Sequence, residues 1–136
     1  MPSHAFKYGI IKRNFNEPLN HRMMNNKILL CGAKGRMGQA ISKIAAEHGC
    51  EITAPIDQGD NSESRINDCD AVIDFSLADA TLPMAKIASK AGKPMVIGTT
   101  GHEKSVKQEI IETMKSIPVV WAGNFSTGVN LLFYLT

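Results

Sequence analysis

Three glycines, Gly32, Gly35 and Gly38, stand at three-residue intervals in the stretch "CGAKGRMGQAI" from Cys31 to Ile41. The apolar run "KILL" leads into them and an apolar-periodic segment leads out. Glycines at a strand-to-helix junction imply that something approaches the backbone. The first N–H groups of a helix are unpaired and carry about half a positive charge, and a phosphate reaches them only where no Cβ intervenes. The spacing G-x-x-G-x-x-G is a variant of the G-x-G-x-x-G dinucleotide fingerprint and lacks the G-K-[ST] ending of a triphosphate loop. It points to the pyrophosphate of a dinucleotide, the alternative being a purely structural corner. Arg36, early in the helix, could reach a phosphate oxygen or simply be exposed.

Asp57 closes a second apolar run, "CEITAPI", about twenty residues after the last glycine, where a carboxylate can accept from both ribose hydroxyls of an adenosine. The alternative is a solvated turn residue. Gln58 follows it, not arginine, so a 2′-phosphate would meet the Asp57 charge with no adjacent guanidinium. The site leans toward NADH over NADPH, although Lys34, Arg36 and Arg65 keep NADPH open.

The elements that must carry these residues follow from hydrophobic patterning. After the glycine turn, Met37, Ala40, Ile41, Ile44 and Ala45 fall on one face of a helix stopped by Gly49. "KILLCG", "CEITAPI", "DAVIDFS", "PMVIGTT" and "PVVWAG" read as five strands, with "QGDNSESRIND" a polar connection too short for a full crossover helix. "LADATLPMAKIASKAG" is helical, with Pro83 limiting or bending its first turn and Gly92 ending it. Val106, Ile110, Ile111, Met114 and Ile117 mark another helix, and "STGVNLLFYLT" a last helical run. Strands that are continuously apolar and interleaved with helices predict a Rossmann-type α/β fold, a doubly wound parallel sheet covered on both faces. Ligands bind such sheets at the carboxyl ends of the strands.

The chain has 136 residues, 43% of them hydrophobic and 21% charged, which suits one globular domain. No apolar run approaches the roughly 20 residues of a membrane span, and no secretory signal is visible, so a cytoplasmic protein is expected. Cys31, Cys50 and Cys69 are odd in number and far apart, as buried thiols would be, and the four histidines make no metal-ligand spacing with them. No metal is expected. Lys7, Lys12, Arg13 and Arg22 against Glu17 give residues 1–26 a net +3 and leave −1 for residues 27–136. The globular part is thus not a basic nucleic-acid binder. Residues 1–26 are expected to be a disordered basic extension, and 27–136 the dinucleotide-binding domain.

The motifs "GAKGRMG", "VIDFS", "VIGTTG" and "NFSTGVN" stand in the order found in the 4-hydroxy-tetrahydrodipicolinate reductases, or dihydrodipicolinate reductases, of diaminopimelate and lysine biosynthesis. From about Lys27 to Thr136 the chain resembles the cofactor domain of that family. The resemblance implies an NAD(P)H-dependent reduction of 4-hydroxy-tetrahydrodipicolinate, a dicarboxylate, in a homo-oligomer that is tetrameric at full length. It implies that Gly32, Gly35, Arg36, Met37 and Gly38 hold the pyrophosphate and that Asp57 takes the ribose. Phe75 and Ser76 would flank the cofactor. Gly98, Thr99 and Thr100 would lie beside the nicotinamide with Ala122, Asn124 and Phe125, and Thr100 would also face the substrate.

Residue chemistry offers rivals. Thr100 and Glu103 spell a capping box, Ser76 could cap the next helix, and Phe75 could belong to the core. Asp74 could bond backbone amides rather than act as a base, and Asn124 needs partners from nicotinamide or a neighbouring loop. His102 and Lys104 are expected to begin a helix in solvent. The family's His-His pair, following lysine and Asp-Ala-Pro-Ser-Gly-Thr run have no counterpart here. A C-terminally truncated chain is therefore expected, with the substrate and tetramerisation domain absent and no catalytic residues of its own. The rival functions are a non-catalytic dinucleotide-binding module or redox sensor, and another Rossmann oxidoreductase.

Overall fold

A computed structural model describes residues 26–126 together with Leu132 and Leu135. The readings of the basic extension before Asn26 and of the helical run beyond Ser126 lie outside the described residues, apart from those two leucines. The first strand, β1 (Asn26–Cys31), buries Ile28, Leu29, Leu30 and Cys31 in succession. A run buried on both faces must be interior to its sheet, and β1 has a parallel neighbour on each side. It starts one residue earlier than the sequence pattern placed it.

The chain continues through α1 (Arg36–Ile44), β2 (Cys50–Ile56), α2 (Ser62–Arg65), β3 (Ala71–Asp74), α3 (Ala78–Ala91), β4 (Met95–Ile97), α4 (Lys104–Thr113) and β5 (Val119–Trp121). The sheet is parallel throughout, in the order β2-β1-β3-β4-β5. From β1 the chain turns to β2 on one side, whereas from β3 it proceeds to β4 on the other. The crevice between the carboxyl ends of β1 and β3 is therefore the topological switch point.

Right-handed crossovers place α1 on one face of the sheet and α3 and α4 on the other. The α3–α4 face holds the main core, where Leu29, Val72, Ala85, Ala88, Met95, Ile97 and Ile110 pack together. Each large apolar side chain buried there contributes about 1.5–3 kcal/mol. The opposite face is thinner. Its row Leu30, Ile73, Val96, Val120 runs from a fully buried leucine to a valine that is 46% exposed. On α1 only Ala45 of the expected apolar stripe is buried, just past the helix end, while Met37 and Ile44 are each 47% exposed.

Local chemistry sets the helix boundaries. Asn61 Oδ1 accepts from Ser64 N at 3.2 Å, so the connection read as a loop winds into the single turn of α2 and then a 3₁₀ turn, Ile66–Asp68. In α3, Pro83 stands in the second turn rather than limiting the first, and Gly92 at φ 65° ends the helix by donating to Ala88 O and Ser89 O.

The tightest constraint joins α1 to β1. A Cβ at Gly38 would lie 2.1 Å from Gly32 O, whereas one at Gly35 would lie 3.3 Å from the same atom, at an ordinary φ of −69°. Gly38→Ala should therefore lower stability by about 1–3 kcal/mol, and Gly35→Ala should leave it nearly unchanged. Thermal unfolding of the two variants checks this; equal melting temperatures would show that α1 does not press on the turn.

Candidate functional site

The glycine turn is held by backbone bonds of Gly32 and by two side chains that bond the main chain of Lys34, whose N–H donates to Asp57 and whose carbonyl accepts from Gln39 Nε2 at 2.7 Å. Gly32, at φ 78°, donates to Ile56 O at 2.9 Å and accepts from Gly35 N at 3.0 Å. A Cβ on Gly32 would lie 2.3 Å from Phe75 O, so the turn is wedged between the ends of β1 and β3. Gly35 is the N-cap of α1 and no side chain caps the helix. Among the described residues the N-terminus of α1 thus has no side-chain cap, and its N-cap carries no Cβ. Arg36 and Met37 are exposed at the first two positions of the helix. Gly32 and Gly38 answer to packing, since a Cβ at either would overlap backbone atoms, whereas Gly35 is not required by packing to the same degree.

Asp57 follows β2 beside this turn. Its Oδ1 accepts from Lys34 N at 3.2 Å, and its Oδ2 lies 4.0 Å from Lys34 Nζ. That lysine side chain is 87% exposed, so the ion pair is screened and weak. Asp60 Oδ2 accepts from Asp57 N at 2.8 Å and fixes the turn that presents the carboxylate. Asp57 and Asp60 line a cavity of about 570 Å³ with Ala33, Lys34, Gln39, Ser42, Lys43 and Pro55. The site can hold an anion at the α1 N-terminus with a hydroxyl-bearing group against Asp57, which fits the phosphate and ribose of a dinucleotide.

The end of β3 differs from the expectation for Ser76 and fixes the role of Asp74. Asp74 is fully buried; its Oδ1 accepts from Ser76 N at 3.0 Å and from the Ser76 hydroxyl, and its Oδ2 accepts from Thr81 Oγ1 at 2.8 Å. Ser76 therefore does not cap α3, whose N-cap is Leu77. Asp74 is enclosed, with a donor on each of its carboxylate oxygens, so it bonds one backbone amide and two hydroxyls rather than amides alone. Phe75 lies outside the main core: its ring meets Phe125 edge-on at 5.8 Å and rests on Gly98, where a Cβ would come within 2.1 Å of Phe75 Cε1. Leu77, 64% exposed beside Ser76, was not singled out from the sequence. Its signal was an apolar residue at a position where a polar cap is usual.

Gly98, Thr99, Ala122 and Asn124 gather at the ends of β4 and β5. Gly98 N donates to Asp74 O at 2.8 Å, and Thr99 Oγ1, nearly buried, donates to the same oxygen at 3.3 Å. Thr100 is exposed. It does not cap α4, whose N-cap is Glu103, because Gly101 at φ 89° carries the chain out of the helical region where a capping box would need its first helical residue. Ala122 N donates to Ile97 O at 3.1 Å. Asn124 Oδ1 accepts from Ser126 N at 2.6 Å, so its own loop supplies a partner.

Among the described residues no group of three or more His, Cys, Asp or Glu could hold a metal ion, and no helix is long and apolar enough to cross a membrane. The three thiols are free, and burial pushes those of Cys31 and Cys69 up and away from reactivity.

His102 does not begin a helix in solvent. It is half-buried, its ring meets Trp121 edge-on at 5.3 Å, and its Nε2 is buried with no hydrogen-bond partner among the described residues. Lys107 Nζ lies 5.5 Å from the centre of the same indole. Burial pushes the imidazole below its ordinary pKa of 6.5, against the pull of Asp74 and with the help of Lys107. The unfolded chain accordingly takes up this proton first, and stability is lost as pH falls below 6.5 toward the folded-state value. His102→Phe keeps the edge-on ring and removes the unpaired nitrogen; it should raise stability by about 1 kcal/mol at neutral pH and flatten the acid dependence. Unfolding measured on either side of pH 6.5 decides the matter, and an unchanged acid slope would remove His102 as its source.

Comparison with known proteins agrees with this geometry. The family described as "Dihydrodipicolinate reductase, N-terminus" matches residues 26–125. A 4-hydroxy-tetrahydrodipicolinate reductase of Akkermansia muciniphila is 43% identical over 111 residues, 80% of this chain and 45% of its own length. Proteins of the same name from Methanocorpusculum labreanum and Pelagibacter ubique are 36% and 37% identical, over 80% and 84% of this chain and 49% of their own lengths. The chain spans about half the length of these curated relatives. With its parallel sheet, its uncapped glycine turn and an acidic residue after β2, it belongs to the family of dihydrodipicolinate reductase N-terminal domains.

Proposed function

We propose that this chain is the nicotinamide-dinucleotide-binding part of a 4-hydroxy-tetrahydrodipicolinate reductase acting in diaminopimelate and lysine biosynthesis. One observation carries the reading: an α1 N-terminus that no side chain caps stands beside the Asp57 carboxylate at the switch point. The relatives' shared name favours it over a sensor or an unrelated oxidoreductase.

In this reading Gly32, Gly35, Arg36, Met37 and Gly38 bind the pyrophosphate and Asp57 accepts from the adenosine ribose. Phe75, Ser76 and Phe125 wall the crevice, while Gly98, Thr99, Thr100, Ala122 and Asn124 border the nicotinamide. The cofactor supplies hydride; the protein binds and orients it. Thr100 meets substrate in this reading, which its exposure supports. His102 and Lys107 are engaged with the Trp121 ring and do not form a grip for two carboxylates. The groups that bind the dicarboxylate and supply its proton are therefore assigned to a segment other than 26–126, as is the tetramer contact. Mixed with enzymatically generated 4-hydroxy-tetrahydrodipicolinate and NADH, the chain alone should show no loss of NADH absorbance. Turnover on the order of 1 per second would place the proton donor within these residues.

NADH is the favoured cofactor in this reading because Asp57 repels a 2′-phosphate and Gln58 offers no compensating cation, while the exposed charge of Lys34 softens the preference. Asp57→Ala should weaken NADH binding about tenfold and narrow or reverse its advantage over NADPH, as expected for a lost charge-assisted hydrogen bond. Competitive titration of both dinucleotides measures this, and tighter NADPH binding by the unmodified chain would contradict it. Gly35→Val, with a branched Cβ before the α1 N-terminus, should abolish binding of either while far-UV circular dichroism stays native.

A further inference from the structure

Asp74 has no contact role toward ligand in the reading above, yet it joins three segments of the site. Its carboxylate is enclosed, accepting from Ser76 on one oxygen and from Thr81 on the other. Thr81 is itself fully buried in the first turns of α3. The main-chain oxygen of the same residue accepts from Gly98 N at 2.8 Å and from Thr99 Oγ1 at 3.3 Å. One residue thus fixes the Phe75–Ser76 turn, the N-terminus of α3 and the Gly98–Thr99 turn. An apolar side chain could fill the same volume without the cost of burying a carboxylate, but it could not set the direction of two turns at once. The consequence is visible in the crevice wall, where the Phe75 ring rests on Gly98 and meets Phe125.

We propose that Asp74, held by Thr81, is a positioning residue for the nicotinamide half of the cofactor: it sets the spacing between the Phe75–Ser76 and Gly98–Thr99 turns that border that ring. The pyrophosphate and ribose contacts come instead from the β1 turn and Asp57, which do not hydrogen-bond to this carboxylate. The inference rests on the cofactor reading, and ADP-ribose separates the two, since it shares pyrophosphate and adenosine with NADH but lacks nicotinamide. Thr81→Val removes the donor at nearly constant volume; Thr81→Ser retains it. T81V should bind NADH about tenfold more weakly and ADP-ribose within about twofold of the unmodified chain, as expected for a lost hydrogen bond to a buried carboxylate. T81S should bind both as the unmodified chain does. Unchanged NADH affinity in T81V would overturn the proposal, and so would an equal loss for NADH and ADP-ribose, which a loosened domain would produce. Should T81V fail to fold, Thr81→Ala is titrated with the same two ligands and judged by the same outcomes. An unmodified chain that binds neither ligand would overturn the cofactor reading itself, whereas one that binds both, with T81V unaltered, would overturn only the role of Asp74.

Discussion

The site depends on a contact of backbone against backbone. At the end of β1 the chain is pressed between α1 and the end of β3, so closely that side chains at positions 32 and 38 would overlap the carbonyls of Phe75 and Gly32. This contact aims the α1 N-terminus at the switch point, and it lets the turn donate from Lys34 N to Asp57 while Gly32 and Ala33 donate to Ile56 O. A wider turn would move the helix away from the sheet and would separate the positive end of its dipole from the carboxylate that follows β2. Close packing and the aim of the α1 N-terminus are therefore one constraint on the same seven residues.

Two aspartates at strand ends show how burial sorts identical chemistry. Asp57 keeps part of its surface in solvent and accepts one backbone N–H at 3.2 Å, so its oxygens retain acceptor capacity. Asp74 has none of its surface in solvent, and both oxygens are taken by Ser76 and Thr81. A carboxylate in the first state is available to hydroxyls that arrive with a ligand. In the second it organises the loops around it, because losing Thr81 or Ser76 would leave a buried carboxylate oxygen without its donors. The β2 end thus leaves a carboxylate with free acceptor capacity, and the β3 end uses one to shape its loops.

Much of this was legible in the sequence. The bounds of β2 coincide with the apolar run "CEITAPI", and the glycine spacing locates the turn. What escaped was contact between residues that are near in space and ambiguous in type. Asp74 could be a base, a backbone acceptor or a hydroxyl acceptor, and only the fold brings Thr81, Gly98 and Thr99 to it. Ser76 satisfies the rule for an N-cap but lies within reach of a stronger acceptor. Thr100 and Glu103 have capping-box spacing, but the positive φ of Gly101 between them postpones the helix by a turn. His102 is polar by type, and nothing local announces that Trp121 will lie against it. The apolar stripe of α1 has helical spacing, but of its members only Ala45 is buried.

Trp121 is the only tryptophan in the chain, and it ends β5 on the side of the crevice assigned to nicotinamide. An imidazole meets it edge-on and an ammonium lies over its ring, so its emission depends on two neighbours anchored in the β4–α4 connection and in α4. Reduced nicotinamide absorbs where indole emits. The domain therefore carries a single indole whose emission would fall by energy transfer when the reduced dinucleotide arrives and would respond to movement of the His102 segment in its absence. Occupancy and local opening become two optical signals from one unlabelled side chain, without interference from a second indole elsewhere in the sequence.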